Sequence, residues 1–259
     1  MVPGLSRRRF LQSTGALGLG ATLGCATTPG VLVPPLGLDR VRVLSIGVVG
    51  TIGGHDRRQV ASHPRAEIVG LCDVDEGALA EAAGEHPEAF TCRDYREAFR
   101  DHADTFDAVI VSTPDHTHAP ILLAAMAAGK HVYGQKPLVH QLEELALVQR
   151  AVERRPELVT QVGNQRMQFP GRRAAVSILR SGLLGPAIEA HAWTGSPNPG
   201  FYFNFEAELH EPSEPPPGLD WDLWLGPCAE QPYREGLAPV KWRSWWDFGT
   251  GGLGDWGVH

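Results

Sequence analysis

Phe106-Asp-Ala-Val-Ile-Val-Ser-Thr-Pro-Asp-His-Thr-His-Ala-Pro-Ile-Leu-Leu-Ala-Ala-Met-Ala-Ala-Gly-Lys-His-Val-Tyr-Gly-Gln-Lys-Pro-Leu138 is the stretch on which the fold turns. Asp107 to Ser112 is short and almost wholly apolar, which predicts a parallel strand covered on both faces. It stops at Thr113-Pro114, where proline removes a donor and breaks the ladder. His116 to Ala128 predicts a helix, with Ile121, Leu122, Ala125 and Met126 on one stripe and Gly129 closing it. Lys130 to Tyr133 predicts a second strand that delivers Gly134-Gln135-Lys136-Pro137 at its carboxyl end. Strand, helix and strand in this order make a right-handed crossover unit. Ligands of such sheets sit beyond the carboxyl ends of the strands. Thr113 to His118 and Gln135 to Pro137 are therefore expected on one ligand-facing edge.

Upstream, Val41 to Val49 predicts a first buried strand and Ala66 to Cys72 another. Between them Gly50-Thr-Ile-Gly-Gly-His55 stands where a phosphate-binding turn belongs. A regular Gly-x-Gly-x-x-Gly would need glycine at 52 and 55, which are Ile52 and His55. Gly50, Gly53 and Gly54 are the candidates for a shifted turn, with the helix starting near Asp56 and Ile52 a possible obstruction. Asp73 lies 23 residues beyond Gly50, about where a carboxylate meets the adenosine ribose hydroxyls. Its charge would repel a 2′-phosphate, so NAD is favoured over NADP; capping the next helix is the alternative role. Helices are expected over Glu76–Gly84, Tyr95–Arg100 and the run carrying Leu142, Leu145, Val148 and Val152. A further strand is expected over Leu158–Val162. Together these predict an α/β, Rossmann-type doubly wound parallel sheet.

Thr113-Pro-Asp-His-Thr-His-Ala-Pro120 followed by Gly129-Lys-His-Val-Tyr-Gly-Gln-Lys-Pro-Leu138 resembles the signature of the Gfo/Idh/MocA family of oxidoreductases, named for glucose–fructose oxidoreductase and inositol dehydrogenase. The family's Glu-Lys-Pro hallmark appears here with Gln135 in the glutamate's place. The likeness runs from Val41 to His259 and implies an NAD(P)-dependent enzyme acting on a sugar, cyclitol or related polyol. It implies that Lys136 holds the substrate hydroxyl and favours the alkoxide, and that Asp255-x-x-x-His259 is a catalytic pair. His259 would be the general acid/base, with Asp255 orienting it, both on one face of a helix. Gln135 would bond the nicotinamide ribose. Thr113, Pro114, His118 and Gln165 would line the cofactor cleft.

The three domains expected are residues 1–39, a signal and linker; 40–165, the NAD-binding Rossmann domain; and 166–259, an incomplete α+β substrate domain. The last is expected to open with a helix over Arg172–Ser181 and a strand over Ile188–Thr194. Its tryptophans are expected to be mostly core, with Trp242 among those lining the substrate site. Arg166 and Arg243 are candidates for substrate hydroxyls or a carboxylate, or else for salt bridges. The resemblance implies more sheet beyond His259, through which a homo-oligomer would form, so the chain reads as a fragment.

Composition narrows the classes. The formal net charge of −7 argues against a nucleic-acid partner. Cys25, Cys72, Cys92 and Cys228 lie far apart, without a zinc or disulfide framework. Asp115-His-Thr-His118 could supply metal ligands, but no third ligand follows at suitable spacing, and no metal is expected. Ser6-Arg-Arg-Arg-Phe-Leu11 before the apolar run Gly15–Leu23 is a twin-arginine signature. It predicts export by that machinery to the periplasm, or anchoring as a lipoprotein through Cys25. Because that route carries folded proteins, the cofactor is expected to be loaded inside and kept through turnover. Two other readings stand beside the oxidoreductase: an NAD-dependent glycoside hydrolase of the same family, and a non-catalytic remnant.

Overall fold

The structure is a computed structural model, and it describes residues 39–165, 167, 169–193, 202 and 210–259. Arg166 and the twin-arginine segment lie outside the described residues.

Six strands form one parallel sheet: β1 Val41–Ile46, β2 Ala66–Cys72, β3 Phe90–Cys92, β4 Ala108–Val111, β5 His131–Gln135 and β6 Thr160–Gly163. Their spatial order is 3-2-1-4-5-6. The order reverses between β1 and β4, and a crevice opens there at the carboxyl ends. Between the strands run α1 Gly53–Ala61, α2 Glu76–Glu85, α3 Tyr95–Asp101, α4 Asp115–Ala127 and α5 Leu142–Arg154.

Alternation along the central strands explains why both faces are covered. Leu44 and Ile46 of β1 join Val109 and Val111 of β4 in a core with Ala119, Leu122 and Met126 of α4. Val43 and Ile110 point the other way, to a core with Val60 of α1 and Leu79 and Ala82 of α2. A charge clamp pins the strand starts: Arg42 donates to both oxygens of Asp107, at 3.1 and 2.7 Å. Asp75 caps α2 by accepting from the Ala78 amide at 2.9 Å, so Asp73 is not the cap.

Several expectations shift. α1 begins at Gly53, not near Asp56, so Gly53 and Gly54 are its first two residues. β1 ends at Ile46, three residues early, because Gly47 turns the chain with φ 79°. β3, three residues long, is an addition to the expected strands. Leu142 opens α5 in solvent, while Val148 carries the packing.

Beyond β6, α6 Pro170–Arg180 forms as expected from the sequence, shifted by two residues at its start. Ile188 to Trp193 is not a strand: the backbone is irregular, and both Ile188 and Trp193 are exposed. Thr194 lies outside the described residues. α7 Trp221–Leu225, a 3₁₀ turn at Lys241–Ser244 and α8 Gly251–Trp256 follow. Trp224, Leu225, Tyr233, Leu237, Trp242 and Phe248 form a third core. Trp221 stacks on Trp224 with ring centroids 4.7 Å apart. This core is fastened to the sheet's carboxyl edge. The Asp220 amide donates to Val74 O at 3.0 Å, and Asp115 accepts from the Thr250 hydroxyl at 2.8 Å. No helix among the described residues is long and apolar enough to cross a membrane.

Candidate active site

A cleft of about 860 Å³ runs along the carboxyl ends of β1, β2, β4 and β5, walled on the far side by the tryptophan-rich segment. Its floor is the turn after β1. Gly47 and Gly50 both have positive φ, 79° and 74°. A Cβ on Gly47 would lie 2.7 Å from the Ser112 carbonyl carbon, and one on Gly53 only 2.2 Å from Gly47 O. Only glycine allows β1's turn, β4's end and α1's start to touch in this way. The consequence is a helix N-terminus set at the edge of the crevice, where pyrophosphate binds in such folds: Gly50, Thr51 and Ile52 line the cleft, while Gly53 and Gly54 are buried behind them and do not. Ile52 precedes the helix and lines the cleft without blocking the glycine contacts.

Asp73 faces the same cleft from the end of β2. One of its oxygens accepts from the Val48 amide at 2.9 Å and the other from the Asp75 amide at 3.1 Å. Burial raises its pKa, opposed by those backbone N–H groups. It thus braces the glycine turn while presenting a carboxylate where a ribose would lie. Glycine cradle, helix terminus and carboxylate together fit an adenine dinucleotide.

The opposite end of the cleft holds the charged cluster. Lys136 Nζ, at the end of β5, forms a direct ion pair with the Asp255 carboxylate on α8 and donates to Asp255 O at 2.9 Å. The other Asp255 oxygen accepts from the buried Tyr202 hydroxyl at 2.6 Å and lies 3.4 Å from Arg243 Nε. Burial alone would raise the Asp255 pKa, but hydrogen bonds from Lys136 and Tyr202 outweigh it and the net shift is downward. The Tyr202 phenol is pushed up by burial and by the carboxylate beside it. Arg243 sits over the Trp242 ring at 4.4 Å, and both line the cleft.

His259 lines the cleft too, but not as a residue of α8, which ends at Trp256 with Gly257 after it. Its Nδ1 lies 3.0 Å from Asn164 Oδ1, just after β6. A carbonyl oxygen there selects the tautomer protonated on Nδ1 and makes Nε2 the basic nitrogen. Lys136, Asp255 and His259 thus line one cleft, with Asp255 bonded to Lys136 and His259 to Asn164.

Thr113, Pro114, Gln135 and Gln165 also line the cleft. His118 does not. It is fully buried, with its ring nitrogens 2.7 Å from Pro137 O and 2.8 Å from Thr113 O, tying together the two loops that carry Thr113 and Lys136. Gln135 is also committed elsewhere than expected. Its amide nitrogen donates to Asp56 at 2.6 Å, and its Oε1 faces the Lys136 amide at 3.3 Å. Among the described residues no group of three His, Cys, Asp or Glu side chains could hold a metal ion.

Residues 41–163 match the Gfo/Idh/MocA model described as "Oxidoreductase family, NAD-binding Rossmann fold", and residues 173–259 match that family's C-terminal alpha/beta domain. The chain belongs to the Gfo/Idh/MocA oxidoreductase family. Inositol 2-dehydrogenase 3 of Saccharopolyspora erythraea is 34% identical over 152 residues, which are 59% of this chain and 44% of that protein. A glycosyl hydrolase family 109 protein of Shewanella sp. is 30% identical over 167 residues, covering 55% of this chain and 36% of its own. Among solved structures, myo-inositol 2-dehydrogenase of Lactobacillus plantarum superposes with a TM-score of 0.51 at 28% identity. That superposition covers 57% of this chain and 43% of that one. The chain thus spans less than half the length of these relatives.

Within this Gfo/Idh/MocA chain, sequence reasoning missed three residues. Gly47 is hidden inside an apolar run, although a glycine between strand and turn is a usable signal. Asp56 and Tyr202 carry no local signal, because their partners are Gln135 and Asp255, distant in sequence.

Proposed function

We propose that this protein is an NAD-dependent oxidoreductase moving hydride between the cofactor and a ring hydroxyl of a cyclitol, sugar or related polyol. The observation that carries the reading is the Lys136–Asp255 pair. It stands at the end of β5 in the same cleft as the glycine turn. Bound nicotinamide would supply the hydride acceptor. The chain's own residues do the rest. Gly47, Gly50 and Gly53 open the α1 terminus to the pyrophosphate, and Asp73 takes the adenosine ribose and disfavours a 2′-phosphate. Lys136 donates to the substrate hydroxyl and steadies the alkoxide as its proton leaves. Asp255 holds the ammonium in place, and His259 takes the proton through Nε2. Trp242 and Arg243 offer a ring face and a cation to a polyol. We further propose that Ser6–Leu11 directs twin-arginine export to the periplasm or the membrane surface, and that the protein works as a homo-oligomer.

The relatives named for inositol 2-dehydrogenase support the substrate class. The glycosyl hydrolase relative supports a second reading, hydrolysis by transient oxidation with retained NAD. One assay separates them: the protein is offered myo-inositol, scyllo-inositol, glucose and their glycosides with NAD. Net NADH from the free polyols supports the dehydrogenase. Sugar released from glycosides without net NADH supports the hydrolase, and neither activity defeats both.

A further inference from the structure

Asp56 is a buried carboxylate that the proposed chemistry does not use. It is 8% exposed, in the first turn of α1, and one oxygen, Oδ2, accepts from two side chains. Gln135 Nε2 donates to it at 2.6 Å, and the Ser112 hydroxyl donates at 2.9 Å. Ser112 follows β4 directly before Thr113-Pro114, and Gln135 ends β5 directly before Lys136. A single acceptor therefore joins three segments that shape the cleft.

The chemistry of the pair fixes its polarity. An ionised carboxylate only accepts, so Gln135 must point its amide nitrogen at Asp56. Its Oε1 is left toward the Lys136 amide, 3.3 Å away, and a flipped amide would set two acceptors against each other. We propose that Asp56 is a positioning residue for Lys136, acting through Gln135, and that the acid at 56 requires an amide at 135. Glutamate at 135 would bring two carboxyl groups to hydrogen-bonding distance in a buried site, where one must keep a proton. Reversing both residues, as Asp56→Asn with Gln135→Glu, restores a donor against an acceptor. The amide nitrogen introduced at 56 then has one proton for the carboxylate introduced at 135 and one for the Ser112 oxygen.

Two other titratable groups face Asp56. His55 Nδ1 is 3.8 Å from Oδ1, and the half-buried Tyr133 phenol approaches from β5. Neither is itself substituted, and Gln135→Glu leaves both beside Asp56; only the double exchange takes the carboxylate away from His55. The inference rests on Lys136 as the group that meets substrate, but its test needs no cofactor. A failure of NAD binding would therefore be distinguishable.

The experiment compares the parent, Gln135→Glu and the double exchange by thermal unfolding between pH 5 and pH 8. In parallel, the lysines (Lys130, Lys136 and Lys241) are ¹³C-dimethylated and their signals followed by NMR. Gln135→Glu should unfold near the parental midpoint at pH 5, where the pair keeps its proton. It should lose roughly 5 °C or more by pH 8, with the Lys136 signal displaced. The double exchange should return both midpoint and signal to parental values at pH 8. The inference is overturned if Gln135→Glu follows the parent at every pH, or if the double exchange is no better. It is equally overturned if stability falls while the Lys136 signal stays, since the pair would then be structural only.

Discussion

Lys136 and Asp255, 119 residues apart in the chain, meet as a direct ion pair. The lysine is delivered by the central sheet and the aspartate by the short helix α8, so the pair forms only when the two parts of the chain dock. Tyr202 and Arg243 converge on the same carboxylate. A carboxylate held by two hydrogen bonds and an ion pair is preorganised: it keeps the ammonium in place without rearranging when a hydroxyl arrives.

The docking itself should be sensitive to acid. His116 is buried against Trp224 and Phe248, and burial pulls its pKa down to about 4 from 6.5, its ring bonding to Trp224 O at 2.8 Å. Between those values the unfolded chain takes a proton that the folded one refuses. The stability linked to His116 is thus whole above pH 6.5 and drains as pH falls toward 4. The full loss is about 3 kcal/mol. His116→Gln keeps an N–H for Trp224 O and should flatten that slope in chemical unfolding series across this range.

Gly53→Ala tests the floor of the cleft. Its Cβ would fall 2.2 Å from Gly47 O, so the turn or α1 must move, whereas Gly50→Ala meets open space and suffers only its positive φ. Calorimetry should show NAD affinity falling at least tenfold for Gly53→Ala, roughly 1.4 kcal/mol, and less for Gly50→Ala.

Asp73→Ala should narrow the preference for NAD over NADP by removing the charge that repels a 2′-phosphate. Because Asp73 also holds the Val48 amide at 2.9 Å, affinity for both nucleotides should drop, NAD the more. Calorimetry with each nucleotide checks this; equal binding of both by the unaltered protein would count against the assignment.

Export is tested separately. Replacing Arg7 and Arg8 by lysine should strand the precursor in the cytoplasm, as fractionation with immunodetection would show. Normal processing of that variant would remove the twin-arginine proposal.

Much of this is legible in the chain. The strands β1, β2, β4 and β5 announce themselves as apolar runs ended by Gly, Asp or Pro. Lys136 and Asp255 can be picked out from their motifs. What escapes depends on contacts between distant segments. β3 is three residues long and shows no periodicity. His118 reads as a cleft residue because it neighbours Thr113, but its ring is consumed by two carbonyls that only the folded loops bring together. The start of α1 is misplaced from sequence because two glycines read as turn, and the helix takes them for close packing on Gly47. Ile188 to Trp193 alternates like a strand yet lies exposed without a partner strand among the described residues.

Single-turnover reduction of NAD by Lys136→Met, using the polyol most active with the parent and with NAD affinity determined alongside, puts the proposed role of Lys136 to its sharpest test. Lys136 carries the ammonium proposed to meet the hydroxyl, while the glycine turn and Asp73 lie at the other end of the cleft. The rate should fall roughly 10²–10⁴-fold, with NAD affinity kept within about tenfold. Turnover at close to the parental rate would contradict that role and make Lys136 a structural partner of Asp255.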